Sequence, residues 1–202
     1  MKELHLNRPG AIGDIIMTLQ AIHKYKQIHP EDRIIYYCDA TWQDLPKICP
    51  AVDEVKPSSE FDFGQPNRQN LCGYNEEKPL KKHLMCYFGK ELGLQDEFWT
   101  YGFKPNFQND FDINTKQITI HPFAGWSPYK NWDMLKWQEV IDRLVGFEIL
   151  QIGATSDPLL KGVLDMRGKF SISESIQLIK TSKLHLGVDS FSNHATALLP
   201  LT

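Results

Sequence analysis

The chain lacks a Cys-x-x-Cys pair, a secretory apolar segment, any run approaching a membrane span, an Asn-x-Ser/Thr sequon, and any block of like charge. Each absence removes a class of protein. The four cysteines (Cys38, Cys49, Cys72 and Cys86) are too widely spaced for a zinc ribbon or a redox dithiol, and are expected to be plain thiols in a reducing compartment. The N-terminus MKELHLNRPG has no h-region, so cytoplasmic residence is the default. With 22 basic and 25 acidic residues and a net charge of −3, nothing suggests a surface for nucleic acid. Two nucleotide fingerprints are also missing: no Gly-x-Gly-x-x-Gly, and no Gly-Lys-Ser/Thr after a glycine loop. A dinucleotide oxidoreductase is correspondingly disfavoured.

What is present is an ordinary globular composition. The 202 residues are 42% hydrophobic and 11% aromatic, which excludes intrinsic disorder and gives enough chain for one large or two small domains.

The pattern is one of strands alternating with helices. Leu4-His5-Leu6 reads as a strand, Gly10 to Asp14 as a turn, and Ile15, Ile16, Leu19, Ile22 and Tyr25 as a helix stopping near Pro30. Arg33 to Cys38 predicts a second strand, Thr41 to Ile48 a short helix and Val52 to Val55 a third strand. Residues 57–80 show no period and predict a long surface loop. Lys82 to Leu94 predicts a helix stopped near Gly93, and Phe98 to Phe103 another strand. The polar stretch 106–117 reads as a linker.

A second alternating unit follows. Its expected strands are Ile118 to His121, Phe147 to Ile152, Leu164 to Met166 and Leu184 to Val188. Its expected helices are Met134 to Val145 (with Leu135, Trp137, Val140, Ile141 and Leu144 inward), Pro158 to Val163, Ser173 to Lys180 capped by Ser171 or Ser173, and Asn193 to Leu199. The expected architecture is α/β, two Rossmann-like doubly wound parallel-sheet domains facing a cleft: residues 1–105, a linker at 106–117, and residues 118–202.

In such sheets ligands bind beyond the carboxyl ends of the strands. The segments falling there are Gly10 to Asp14, Pro122 to Trp132, Gly153 to Asp157 and Asp189 to His194. Gly10-x-x-Gly13 fits a tight strand-to-helix turn. Asp14 fits either an acidic first-turn residue that complements the helix dipole, or a general base for a reaction needing only late deprotonation, such as glycosyl transfer. Lys130 is placed to meet a leaving diphosphate, with Ser127 as a hydroxyl donor; a solvated lysine between core tryptophans is the plainer reading. Ser190 and the amides around it open a helix, where phosphate is favoured, with His194 one turn in. Trp126 or Trp132 could stack on a base or sugar. Asp110-Phe111-Asp112 spells a metal-binding DxD, but no apolar strand leads into it.

The segments GAIGDIIMTLQAI, HPFAGWSPYKNW, ILQIGATSD and RGKFSISESIQLIKTSKLHLGVDS, with the SxxNHATALL continuation, occur in an order that resembles glycosyltransferase family nine, the ADP-heptose:lipopolysaccharide heptosyltransferase-like enzymes. The resemblance runs from about residue 5 to 200. It implies the GT-B fold and an inverting, metal-independent transfer of heptose or a similar hexose from a nucleotide-diphospho-sugar, ADP-linked in the family's manner, to a glycan or lipopolysaccharide-type acceptor at the inner membrane face. It implies no cofactor beyond that donor. Asp14, in the turn with Gly13, would be the base; Lys130 and Ser190 would bind the diphosphate, with Ser127 beside Lys130. Asp189 would contact the sugar or order its loop, His194 would support phosphate or ribose, and Asp157 would serve the ribose hydroxyls.

Two departures stand out. Phe191 occupies a position where the family usually has glycine, and the chain stops inside the helix after His194, so the C-terminal domain is expected to be incomplete. A nucleotide-sugar-binding module, inactive alone or needing a partner chain, is the alternative.

Overall fold

The computed structural model describes residues 1–72, 81–95, 102–107, 111–125 and 127–198. It divides into two compact units, one built on Met1–Asn106 and the other on Phe107–Thr196.

The first unit contains a four-stranded parallel sheet in the order β3-β2-β1-β4. β1 (Glu3–Asn7) runs beside β2 (Arg33–Cys38), with Leu6 opposite Tyr36, and β2 beside β3 (Glu54–Pro57). Between β1 and β2 lies α1 (Ile12–Ile28), whose residues Ile15 to Ile22 are all buried. Burial of nearly every side of this helix follows from its apolar content and from packing against α2 (Asp44–Lys47) and α3 (Leu84–Glu91). Each fully buried aliphatic side chain, such as Leu6, Ile15, Ile16 and Leu19, contributes roughly 1.5–3 kcal/mol. Two polar side chains, Thr18 and Gln20, are buried at the helix centre, and Thr18 meets the buried Tyr36 hydroxyl at 2.6 Å. Gly93 ends the α3 segment at φ +71°, as the sequence suggests.

The expected loop over 57–80 is corrected in part: Arg68–Asn70 forms β4, pairing in parallel with β1 at His5, Leu6 and Asn7. Three polar residues carry no strand pattern of their own. They become a strand because β1 offers an open row of backbone groups, and because Asn7 Nδ2 donates to Asn70 Oδ1 at 2.9 Å. The expected strand at Phe98 to Phe103 falls mostly outside the described residues, and Gly102 and Phe103 are not in a strand.

The second unit has its own parallel sheet, in the order β7-β6-β5-β8. β5 (Asn114–His121) starts four residues before the expected Ile118, because polar Asn114 and Gln117 find partners: Asn114 pairs with Ser182, and Gln117 Nε2 donates to Ser182 Oγ at 2.7 Å. β6 (Glu148–Gln151), β7 (Leu164–Asp165) and β8 (Ser182–Gly187) complete the sheet. Its core gathers Ile118, Ile120, Trp137, Ile141, Ile149, Leu160 and Val188.

α4 (Met134–Arg143) buries Trp137 and Ile141, but Leu135, expected inward, is 76% exposed. It sits one residue after Met134, which packs on the core instead. No helix forms over Pro158 to Val163. Pro158 lacks an N–H, and the next amides are claimed by side chains: Leu160 N–H by Gln151 Oε1 and Lys161 N–H by Gln138 Oε1, both at 2.9 Å. α5 (Ile172–Thr181) begins with Ser171 and Glu174 in a reciprocal capping box. α6 (Phe191–Leu198) starts two residues before the expected Asn193. Among the described residues no helix is long and apolar enough to cross a membrane.

Candidate functional site

On the first unit, chemistry collects where β1 gives way to α1. Gly10 is required by close approach: a Cβ there would lie 2.6 Å from the Trp42 ring. Gly13 and Asp14 fall in the first turn of α1. Arg8, buried at the end of β1, forms an ion pair with the Asp14 carboxylate through Nη2. Its Nη1 donates to the Leu71 carbonyl at 3.2 Å and to Cys72 Sγ at 3.4 Å, and the guanidinium stands 5.9 Å from the Phe88 ring centre. Asp14 therefore has its orientation fixed by a group anchored to β4 and α3. Its side chain is 18% exposed, against 6% for Arg8.

On the second unit, the carboxyl ends of β5 and β8 bring distant residues together. Lys130 Nζ lies 2.9 Å from Asp189 Oδ2. The Lys130 hydrogen bond holds the Asp189 carboxyl below its ordinary range, with the charges of Lys130 and His194 acting in the same direction. Both side chains are open to solvent, at 40% and 65%, so the pair is worth at most ~1 kcal/mol and costs little to open toward a ligand. The loop carrying Lys130 is clamped by Asn131, which accepts from Ala124 N–H at 2.6 Å and donates to the Ala124 carbonyl at 3.3 Å. Ser127 heads the short turn, its carbonyl accepting the Lys130 N–H at 3.2 Å.

Ser190 immediately precedes α6, and its hydroxyl lies 2.8 Å from His121 Nδ1. Burial pushes His121 down to about 4, opposed by the Asp157 charge, so the imidazole is neutral at pH 7. Phe191 does not stand apart from this group. Its ring packs on His121, with centroids 5.0 Å apart.

The remaining residues singled out in the sequence fall as follows. The Asp157 carboxylate accepts the Ala154 N–H at 2.8 Å through Oδ2 and closes its own turn. Of the DxD, Asp110 lies outside the described residues and Asp112 is an exposed residue ahead of β5. Trp126 also lies outside them, while Trp132 packs edge-on against Trp137 at 5.4 Å.

Among the described residues, His29, Glu31 and Asp32 are near enough to share a cation. Asp32, however, already accepts the Lys2 N–H at 2.6 Å and the Tyr25 hydroxyl at 2.8 Å. The group also sits past the C-terminal end of α1, about 25 Å from that helix's first turn at 1.5 Å per residue, so it has no part in the chemistry at Asp14.

No family model matches the sequence, and no curated protein matches it. Solved structures do. The bacterial iron-containing dodecameric glycosyltransferase TibC from enterotoxigenic E. coli superposes with a TM-score of 0.77 at 16% identity, covering 98% of this chain and 56% of that one. E. coli ADP-heptose lps heptosyltransferase II gives 0.75 at 17%, covering 98% of this chain and 82% of that one. A glycosyl transferase family 9 protein from Veillonella parvula gives 0.73 at 15%, covering 96% and 77%. The chain has the fold of these transferases. It spans little more than half the length of TibC.

Within that GT-B-like fold, three residues at the described clusters carry no sequence signal of a role. Arg8 reads only as a turn-flanking cation, and Asn131 as a loop amide. His121 reads as the end of a strand, and its neighbours in space come from residues 69 and 71 positions later.

Proposed function

We propose that the protein is a glycosyltransferase that moves a sugar from a nucleotide-diphospho-sugar to a hydroxyl acceptor, with inversion at the transferred carbon and without a catalytic metal. The observation that carries this reading is the convergence of Lys130, Asp189 and Ser190 at the carboxyl ends of β5 and β8, in a fold shared with transferases. One such neighbour, E. coli heptosyltransferase WaaC, is described with ADP, which supports an ADP-linked donor here. The sugar is a heptose or similar hexose, and the acceptor a glycan of the lipopolysaccharide type, through which the protein meets the membrane face.

Residues 1–105 form the acceptor-side domain and residues 118–202 the donor-side domain. The acceptor oxygen attacks the anomeric carbon as the bond from that carbon to the diphosphate oxygen breaks. The acceptor proton passes to the Asp14 carboxylate, in the turn with Gly13, which the Arg8 guanidinium keeps in place. The electron pair of the broken bond stays on the diphosphate, where Lys130, Ser190, Ser127 and His194 offset the charge. Asp189 orders Lys130 before the donor binds.

The test is direct. Asp14→Asn should keep ADP affinity and lose transfer by about 10²–10⁴-fold. Lys130→Ala should weaken ADP binding with the fold intact. Undiminished turnover in both variants sinks the assignment. A binding module that needs a partner chain is the second reading, motivated by the Phe191 ring in the phosphate loop. ADP binding by calorimetry with no transfer to any acceptor would favour it.

A further inference from the structure

His121 is tied to two hydroxyls at once. Its Nδ1 lies 2.8 Å from Ser190 Oγ and 3.2 Å from Ser192 Oγ, and the two hydroxyls are 3.2 Å from each other. The ring is held on its other sides: its residue is 5% exposed, Phe191 packs on it, and its backbone carbonyl accepts the Val188 N–H at 3.2 Å. Ser192 is fully buried and equally fixed. It faces the place where Gly187, opposite His121 in the β5–β8 register, has no side chain: a Cβ there would lie 3.0 Å from Ser192 Oγ and 2.9 Å from His185 Nε2. Thr119 and His185, the preceding register pair on the same face, are joined at 3.0 Å. A polar seam thus runs along this face and emerges at the Ser190 hydroxyl.

A neutral imidazole nitrogen either donates or accepts. If Nδ1 accepts, it competes with any ligand for the hydroxyl protons. If Nδ1 carries the proton, it donates to Ser190 Oγ, and the Ser190 O–H is free to turn outward to an anion. Resting on the donor reading above, we propose that His121 is the positioning residue of the diphosphate loop: as the Nδ1–H tautomer it donates to Ser190 Oγ and aims the Ser190 hydroxyl proton at a phosphoryl oxygen. His121 itself touches no substrate. Its effect passes through Ser190, with Ser192 holding the ring in register.

The experiment uses the full chain and three probes: ADP, inorganic pyrophosphate and adenosine. His121→Leu should bind ADP and pyrophosphate at least about tenfold more weakly, since a hydrogen bond to a charged group is lost, while adenosine affinity is unchanged. His121→Asn, whose amide N–H reaches the place of Nδ1, should restore most of the loss. The double variant His121→Leu with Ser190→Ala should bind ADP no more weakly than Ser190→Ala alone, because the two act as one unit. Nitrogen NMR of the wild type with ADP should show His121 protonated at Nδ1, a readout that does not depend on the variants folding.

Equal losses for ADP and adenosine, additive losses in the double variant, or protonation at Nε2 overturn the positioning role while leaving the donor reading intact. Failure of the wild type to bind either ADP or pyrophosphate overturns the donor reading, and the positioning role with it.

Discussion

Two buried histidines make the stability of the second unit depend on pH in a range where carboxylates are silent. Burial pushes both His121 and His185 from 6.5 down to about 4, His185 being lowered further by its proximity to His121. Their folded-state values lie below the unfolded ones, so between about pH 6.5 and 4 the unfolded chain binds more protons and stability falls as the pH falls. At pH 5 each group disfavours folding by about 2 kcal/mol relative to pH 7, and the pair by about 4 kcal/mol. His23, also lowered by burial, acts in the same direction in the first unit. The lowered carboxylates Asp165 and Asp189 lose their contribution only below about pH 4, so they do not confuse the interval. Urea unfolding at pH 7 and pH 5, followed through the edge-on pair Trp132 and Trp137, reads the effect. With a slope of about 2 kcal/mol per molar urea, the midpoint should drop by about 2 M, and His185→Gln should remove about half of that drop. Equal midpoints at the two pH values would refute the claim that these imidazoles are buried and neutral.

Two further outcomes follow from local geometry. Ser171→Ala removes the side-chain half of the α5 capping box and should destabilise by about 1 kcal/mol in thermal or urea unfolding, with Ser171→Asp close to neutral. Gly10→Ala forces a methyl against the Trp42 ring and should cost about 1–3 kcal/mol, read as a lower midpoint and a changed Trp42 environment; wild-type stability would show that the ring moves aside freely.

The sequence made some elements plain and hid others for physical reasons. α1 is legible because Ile15, Ile16, Leu19 and Ile22 keep the helical period, and β2 because Arg33 to Cys38 is β-branched and aromatic between turn formers. β4 is not, since Arg68, Gln69 and Asn70 are strand residues only by virtue of β1 beside them. Leu135 misleads because helical spacing admits a neighbouring stripe, and the register of α4 on the sheet selects Met134, Trp137 and Ile141 instead. At the candidate site, loop position at strand ends was enough to single out Lys130, Asp189 and Ser190, but not to pair them. Lys130 and Asp189 meet only through the β5–β8 register, and so do His121 and Ser190. Arg8 escaped because its partners, Asp14 apart, are a carbonyl and a thiol at residues 71 and 72 and a ring at residue 88, which no local window contains.

The shortness of β4 has a consequence for kinetics. It is three residues long at the end of its sheet, and docking it closes a loop from His5 to Arg68, about twice the span that joins β1 to β2. Loop closure grows costlier with length, and short pairings are the cheapest to reopen, so among the described strands of this sheet β4 should be the last to assemble and the first to fray. The Leu71 N–H, donated to the Asn7 carbonyl at 2.8 Å, is the amide whose exchange reports that opening. Each opening takes the Leu71 carbonyl and Cys72 away from Arg8, and with them the anchor of the Asp14 carboxylate. The orientation of the Asp14 carboxylate is thereby tied to the lifetime of a strand only three residues long.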